Sequence, residues 1–392
     1  MSESATQADA LTVDCLTNPP SSIATEAFME VTCLLKVKCE TPDELEIVAG
    51  DLFIIHVGMP DTKEVAAEVK SLFASGQHRR NTWDIHVLND PYLDDIGALK
   101  AAFAHALGNA DVTENRAAHI CLVVHSLDVD ALNIVSTGVS RLVEKKVPLD
   151  VVAASADIDY RAWARIAHDG RGRLLVPRTR ETTEQLLATY LENLTISRIF
   201  DGCLTLKVSD KLRYIRVFRA GETPSFLLDR EPAEMSQPIQ LSLCARGLAS
   251  GEEQQWLMVA IVPRRRPGEY RIGTVELSAR HMNGPIQCHL DIMHTVTAQP
   301  SESQLIDGRV GATYARTRPS FWVEELGLAL SHEDGSRILN LYDPFIKWAR
   351  AEGEVDLVET LWTAKRAFQR GGYFGTRQLN EFWRMAHHGL RD

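Results

Sequence analysis

The sequence predicts a mixed fold in which a doubly wound α/β domain is joined to an antiparallel β-sandwich and followed by a helical region. Apolar runs alternate with amphipathic segments over residues 50–197, which is typical of a parallel sheet covered by helices. Short segments with a period of two fill residues 198–300, and aromatic-rich helical patterns fill residues 301–392. A length of 392 residues suits two or three domains better than one hydrophobic core.

The first 49 residues divide into a leader and one strand. Residues 1–26 are rich in Ser, Thr, Asn and Pro and show neither hydrophobic period, so we expect a flexible leader there. The segment EVTCLLKVKCE at residues 30–40 alternates apolar and polar positions. This alternation predicts, within residues 27–49, a strand that is buried on one face.

The α/β domain begins with DLFIIHVG at residues 51–58, a nearly continuous apolar run. Such a run is typical of a central parallel strand that helices cover on both faces. The following strands are predicted within residues 82–90, 117–126, 148–156 and 173–177. The helices between and after them are predicted within residues 62–76, 93–109, 130–146, 159–169 and 182–194.

The last two regions differ in their hydrophobic period. Strands of the sandwich are predicted at residues 203–208, 214–220, 239–245, 256–263, 270–280 and 287–296. Helices with apolar residues at i, i+3 and i+4 are predicted at residues 321–331, 338–353, 356–372 and 376–390. These helices should form a small bundle or a docking arm.

Composition excludes several classes of protein. The 42 Lys and Arg residues against 53 Asp and Glu residues give a net charge of −11, which disfavours a dedicated nucleic-acid binder or a membrane-surface protein. The seven cysteines are widely spread and lack metal-ligand spacing, so we expect neither disulfides nor a zinc site. Without a signal peptide or a long apolar segment, the chain is expected to be cytoplasmic with reduced thiols.

Chemical motifs are equally sparse. The sequence has no Walker loop and no Gly-x-Ser-x-Gly elbow, so we expect no cofactor and no enzymatic activity. A nucleophile pair of Cys121 and His125 is disfavoured, because residues four apart on one strand are too distant to share a hydrogen bond.

Polar residues cluster where the predicted parallel strands end, which is the edge at which open α/β sheets bind ligands. The candidate partner-binding residues at this edge are His56, Gly58, Met59, Asp61, Asp94, Asp95, His125, Ser126 and Asp128. Asp61, Asp94, Asp95, Asp128 and Asp130 could supply three carboxylates to a cation, although loop aspartates more often cap helices and form turns. His56 and His125 suggest a transition metal but lack a recognisable third ligand.

Two further features are candidate interaction sites. The cluster PRRRPGEYR at residues 263–271 is the densest basic segment, and its position between two predicted strands indicates a solvated loop, with phosphate or an acidic partner as the alternative. Most aromatic residues of the tail should pack in a core, and an exposed subset could anchor a partner. The candidate anchors are Trp348, Trp362, Tyr373, Phe374 and Trp383.

The order of elements resembles that of bacterial von Willebrand factor A (vWA) domain proteins of the calcium-activated-channel-like type. In these proteins an N-terminal strand crosses over to join the later β-sandwich. The resemblance covers residues 28–390 and rests on that order and on four segments. The segments are LFIIHVG, LDDIGALKAAFAHAL, HICLVVHS and DIDYRAWARIAHDGRGRLLV.

The resemblance also implies where a metal-ion-dependent adhesion site would lie. The family's Asp-x-Ser-x-Ser motif falls on residues 56–60, so that His56 replaces the aspartate and both serines are absent. The threonine of the family's second loop falls near Asp94, and the aspartate of its third loop falls on Ser126. The resemblance therefore implies a degenerate site and a metal-free domain.

These expectations favour a non-enzymatic interaction scaffold or adaptor that binds one or more proteins of a multi-subunit assembly, without metal or cofactor. The resemblance adds a bacterial context, including AAA-type ATPase partners and defence or stress gene clusters. One alternative is a divergent metal-dependent vWA adhesion module. The other is a hydrolase or nucleotide-binding enzyme that uses His56, His125 and nearby aspartates as acid and base groups.

Overall fold

The structure is a computed structural model of the 392-residue chain. It describes residues 4–8, 11–18, 21–23, 28–39, 49–57, 83–88, 96–110, 116–126, 129–155, 157–177, 182–195, 199–220, 225–230, 238–242, 253–281, 284–297, 307–372 and 374–388. The helix predicted at residues 62–76 lies outside these ranges. No helix among the described residues is both long and apolar enough to cross a bilayer.

The α/β domain contains a five-stranded parallel sheet in the order β6-β5-β7-β8-β9. Its strands are β5 (Ala49–Val57), β6 (Trp83–Leu88), β7 (Arg116–Val124), β8 (Leu149–Ala153) and β9 (Leu174–Leu175). Its helices are α1 (Ile96–Asn109), α2 (Val129–Lys145), α3 (Tyr160–Asp169) and α4 (Thr183–Thr195).

Helices cover both faces of this sheet, which explains why its central strands are continuously apolar. Phe53 and Ile55 of β5 belong to the core cluster that contains residues of α1, α2 and α3. Leu52 and Ile54, which alternate with them, belong to the cluster that contains residues of α4. Strand β5 therefore has no polar face except at its ends.

The β-sandwich contains two sheets. The six-stranded sheet has the order β1-β2-β4-β14-β11-β12, and the five-stranded sheet has the order β13-β10-β15-β16-β3. The first sheet comprises β1 (Ser4–Ala8), β2 (Leu11–Asn18), β4 (Phe28–Cys39), β11 (Tyr214–Ala220), β12 (Ser225–Arg230) and β14 (Glu253–Pro263). The second comprises β3 (Ser21–Ile23), β10 (Ile199–Val208), β13 (Ile239–Ser242), β15 (Gly268–His281) and β16 (Gly284–Thr297).

The expectation of a flexible leader at residues 1–26 is wrong, because this segment contributes three strands. Strand β2 pairs with β4 along its whole length, from Leu11 opposite Cys39 to Asn18 opposite Thr32. Val13 and Cys15 of β2 are buried in the sandwich core. Leu11, Val13 and Cys15 alternate with Thr12 and Asp14, a short period of two that the Ser- and Thr-rich composition of the segment outweighed in the prediction.

The N-terminal strand predicted at residues 30–40 corresponds to β4, which pairs with β14 from Phe28 opposite Pro263 to Lys38 opposite Glu253. Its predicted burial on one face is wrong, because Leu35 lies in the sandwich core while Leu34 lies in a second cluster on the other face.

Four helices follow the sandwich: α5 (Gly308–Ser331), α6 (Gly335–Ala351), α7 (Val355–Gln369) and α8 (Thr376–His388). Aspartates cap the first two, since the Asp307 carboxylate accepts from the Arg309 amide at 2.8 Å and the Asp334 carboxylate accepts from the Arg337 amide at 2.9 Å. All four helices contribute to the same core cluster as α1, α2 and α3. The helical region therefore packs on its own α/β domain.

Helix α5 contacts both the β-sandwich and the α/β core. Near its start, Val310 is buried against the outer face of the six-stranded sheet. Phe321, just past the middle of the helix, packs against the same face under the Arg216 guanidinium, whose carbon lies 4.3 Å from the ring centroid. In its second half, Val323 and Leu326 are buried in the α/β core. One continuous helix therefore fixes the sandwich relative to the α/β domain.

A forked ion pair holds the second half of α5 against α3. Arg161 Nε and Nη2 donate to the two Glu324 carboxylate oxygens at 2.9 and 3.1 Å, and Arg165 Nη2 donates to one of them at 3.2 Å. Gly327 permits this approach, because a Cβ there would come within 2.2 Å of Arg161 Nη1. The fork is largely shielded from solvent, with the Arg161 and Glu324 side chains 15% and 17% exposed.

We predict that Glu324→Ala lowers the free energy of unfolding by about 2 kcal/mol, because it leaves the Arg161 guanidinium shielded without its acceptor. The matched control is Glu276→Ala, which breaks the more exposed ion pair with Lys207 (2.5 Å; side chains 45% and 49% exposed) and should cost less than about 1 kcal/mol. Urea unfolding measures both values. Equal losses would contradict the role assigned to the fork.

Buried histidines make the folded state acid-sensitive. Burial lowers the pKa of His119 to about 3 and that of His294 to about 4, and burial together with Arg219 lowers the pKa of His168 to about 4, all from an ordinary 6.5. Between pH 6.5 and about 4, the unfolded chain binds protons that the folded chain does not. The stability present above pH 6.5 is therefore lost as the pH falls through this window.

We predict that His119→Gln reduces the acid sensitivity of folding. When the pH falls from about 7 to 5, His119 alone should lower the unfolding free energy of wild type by about 2 kcal/mol. The total fall in the variant should therefore be smaller by about 2 kcal/mol. Urea unfolding at the two pH values measures the difference. His105→Gln, an exposed histidine on α1, is the control and should behave as wild type; an unchanged pH dependence in His119→Gln would refute the assignment.

Candidate functional site

The carboxyl edge of the parallel sheet is the candidate site. Strand β5 lies between β6 and β7, and the chain runs to β6 on one side before returning to β7 on the other, which makes β5 and β7 the topological switch point. His56 is the penultimate residue of β5, and His125 directly follows β7. The His125 amide donates to the Val57 carbonyl at 2.8 Å, so the two strand ends stay joined.

The two histidines form a direct side-chain hydrogen bond. His56 Nδ1 lies 3.0 Å from His125 Nε2, the ring planes differ by 17°, and the centroids are 5.3 Å apart. Rings stacked face to face keep their atoms about 3.5 Å or more apart. The imidazoles therefore meet edge to edge in nearly one plane, which is the geometry of an N–H···N hydrogen bond.

This bond constrains the protons of the pair. One of the two facing nitrogens must donate and the other must accept, so the tautomer of His56 fixes that of His125. A doubly protonated pair would place two donors against each other and could not form the bond. His56 is buried, whereas His125 and the adjacent Ser126 are half-buried at the edge. The pair thus joins the interior of the sheet to its surface.

The described residues of this edge do not fit the cation of a vWA adhesion site. Mg²⁺ prefers oxygen ligands in octahedral geometry, whereas His56 and His125 present nitrogens that face each other. Within the described ranges, no group of three or more His, Cys, Asp or Glu residues could hold a metal ion. Ser126 is the only described edge residue of the candidate set with a hydroxyl.

Several predicted edge residues lie outside the described ranges. The structure brings together His56, His125 and Ser126. The candidates outside the described ranges are Gly58, Met59, Asp61, Asp94, Asp95 and Asp128.

The tail anchors require a correction. Trp348, Phe374 and Trp383 are buried in the core shared with the α/β domain, so in this fold they are internal packing residues rather than a partner surface. Trp383, for example, meets the buried Tyr160 ring edge to face at 5.4 Å between centroids. Aromatic residues at helical spacing identify the buried face equally well.

The two remaining anchor candidates are not buried in the same way. Trp362 is half-buried, with the Lys365 ammonium 5.4 Å and the Arg366 guanidinium carbon 5.6 Å from its ring. Tyr373 lies outside the described residues. Only Trp362 therefore has a described position from which it could contact a partner.

Cys121 is fully buried in the core cluster beside α4, and burial, with a further contribution from Asp150, raises the pKa of its thiol well above the usual value. A buried thiol of this kind is a poor nucleophile. Its position agrees with the sequence analysis, which disfavours Cys121 as a nucleophile.

Sequence reasoning missed Val129, the first residue of α2, which is 63% exposed beside the edge. The helix buries Ala131, Val135, Val139 and Leu142, a stripe at helical spacing to which Val129 does not belong. Extending that periodicity to the start of the helix would have identified Val129 as an exposed apolar residue.

The sequence matches no protein-family model and no curated protein. Among solved structures, the chain is similar to von Willebrand factor type A from Catenulispora acidiphila, with a TM-score of 0.63 and 14% identity over 99% of this chain and 100% of that one. It is also similar to the ArnB paralog VWA2 from Sulfolobus acidocaldarius, with a TM-score of 0.56 and 12% identity over 98% of this chain and 100% of that one. The chain therefore has the von Willebrand factor A fold over nearly its whole length.

Proposed function

We propose that this protein is a non-enzymatic interaction module that binds a partner protein at the carboxyl edge of its parallel sheet. The observation that carries the proposal is the His56–His125 hydrogen bond, which occupies the switch point with two imidazoles. This is the position at which open α/β sheets bind their ligands. A partner meets the outer side of that pair, at His125, Ser126 and Val129.

Recognition at this edge uses protein groups alone. His125 and Ser126 offer hydrogen-bonding groups at the surface, and Val129 offers an exposed apolar side chain next to them. Burial of an apolar residue ringed by polar groups is the usual anatomy of a protein interface. Because no cation takes part, partner binding is insensitive to chelation. From the sequence alone, the proposal also includes six candidate contact residues: Gly58, Met59, Asp61, Asp94, Asp95 and Asp128.

The rest of the chain acts as a rigid scaffold. Helix α5 packs on the outer face of the sandwich and in the α/β core, so the sandwich and the α/β domain present their surfaces in one fixed arrangement. A fixed arrangement suits an adaptor, because it reduces the conformational entropy lost on binding. On the resemblance of its sequence to bacterial vWA proteins, we propose that this adaptor acts in a cytoplasmic multi-protein complex of a defence or stress system.

We predict that Val129→Glu weakens capture of the partner from a lysate of the native host by about tenfold, because it places a charge in the apolar part of the interface. Val355→Glu is the matched control: Val355 is also the first residue of a helix and is 72% exposed, but it lies on α7. Quantitative mass spectrometry of proteins captured on the purified chain measures both effects. Equal capture by the two variants would contradict the proposed surface.

The same capture tests the metal-dependent alternative. The protein to follow is the one whose capture Val129→Glu weakens. We expect wild type to capture that protein equally well with and without EDTA. Loss of that protein in EDTA, restored by added Mg²⁺, would show that loop carboxylates rebuild a cation site and would overturn metal-free recognition.

An enzyme remains the second candidate because an N–H···N bond between imidazoles can pass a proton from a buried group to a surface group. We predict that the purified chain, alone or with its captured partner, hydrolyses no ester, phosphoester or nucleotide faster than His125→Gln does. Turnover that His125→Gln abolishes while partner capture persists would establish an active site and contradict the adaptor proposal.

A further inference from the structure

Two loops lie at the same end of the β-sandwich. Residues 209–213 link β10 to β11, and residues 264–267 link β14 to β15. Each loop crosses from one sheet to the other, so the basic cluster noted in the sequence joins the two sheets. The Arg213 amide donates to the Ile261 carbonyl at 3.0 Å, which holds the first loop against the strand that leads into the second.

Basic residues dominate these loops. The carboxylates within these loops, or within two residues of them in the sequence, are Asp210 and Glu269. Five cationic side chains form what we call the arginine tip: Lys211, Arg213, Arg264, Arg265 and Arg266. All of them are exposed except Arg265, which is half-buried. The arginine tip thus concentrates positive charge in a chain whose net charge is −11.

The arginine tip is ordered by its own contacts. The Arg265 guanidinium carbon lies 4.8 Å from the centroid of the Tyr270 ring, and the Tyr270 hydroxyl donates to the Arg266 carbonyl at 2.9 Å. Gly268 closes the loop with φ +152°, a value that other residues rarely adopt. A loop fixed before binding loses less conformational entropy when a partner arrives.

We propose that the arginine tip binds an acidic segment of a partner protein, a short run of Asp and Glu residues. Four of its five cations are arginines, and the planar guanidinium fork matches a carboxylate with two parallel hydrogen bonds. Several forks at one end of the sandwich suit a segment that carries several carboxylates in succession. This proposal concerns a surface separate from the carboxyl edge of the parallel sheet and does not depend on the function proposed there.

The observations favour an acidic peptide over a nucleic acid. Single-stranded nucleic acids bind through bases stacked on aromatic rings, and Arg265 already covers the Tyr270 ring. A long phosphate chain would extend beyond the arginine tip into the field of a chain whose net charge is −11. A short acidic segment meets only the tip.

The test is fluorescence anisotropy of the full-length chain with a labelled oligoglutamate peptide of about ten residues, compared with an oligothymidylate of the same length. At about 0.01 M ionic strength, where charges act over about 30 Å, we expect the peptide to bind more tightly than the oligonucleotide. Arg264→Ser combined with Arg266→Ser should weaken peptide binding by about fivefold, since each exposed ion pair contributes modestly. This variant keeps Arg265 on Tyr270, so the loop should keep its conformation.

The matched control is Lys347→Ser combined with Arg350→Ser, which removes two exposed cations from α6 and should leave peptide binding within about twofold of wild type. A second variant, Arg264→Lys combined with Arg266→Lys, keeps both charges but removes the forks and should bind the peptide more weakly than wild type. No peptide binding at low ionic strength, equal loss in the control, or tighter binding of the oligonucleotide would each overturn the proposal.

Discussion

Helix α5 joins the β-sandwich to the α/β domain, because one continuous helix packs on the outer face of the six-stranded sheet and is also buried in the α/β core. Val310 lies against the outer face of that sheet and Leu326 lies in the α/β core, so the helix covers apolar residues of both domains. The fork between Arg161 and Glu324 fixes its position on α3, and Gly327 allows the two helices to approach. The helical region is thus part of the scaffold, and the outer surfaces of both domains are held in fixed relation.

On this scaffold, the described residues at the carboxyl edge of the parallel sheet differ from those of a hard-cation site. His56 and His125 use their facing nitrogens on each other, and the resulting bond joins the ends of the two central strands. The recognition that we propose at this edge uses hydrogen bonds and apolar contact, with Val129 as the exposed apolar group. The binding that we propose at the arginine tip uses a different chemistry, so the two proposed surfaces suit two unlike partners.

The sequence predicted what local periodicity determines. The parallel strands and the described helices around them correspond to the predicted segments, because a sheet covered on both faces requires continuous apolar runs. It failed where burial depends on distant residues: β2 is stabilised by pairing with β4, and Leu34 is buried by α5. Strand order at the edge could be predicted, which brought His56 close to His125, but the direct bond between their rings depends on side-chain rotamers that no pattern encodes.

In the function proposed above, an imidazole pair closes the edge and the partner binds there without a cation. Nuclear magnetic resonance of the chain labelled with ¹⁵N-histidine detects both the pair and a bound cation. We expect coupling across the hydrogen bond between His56 Nδ1 and His125 Nε2, with both signals unchanged when Mn²⁺ is added. Absence of the coupling, together with selective broadening of these two signals by Mn²⁺, would show a cation at the edge and contradict metal-free recognition.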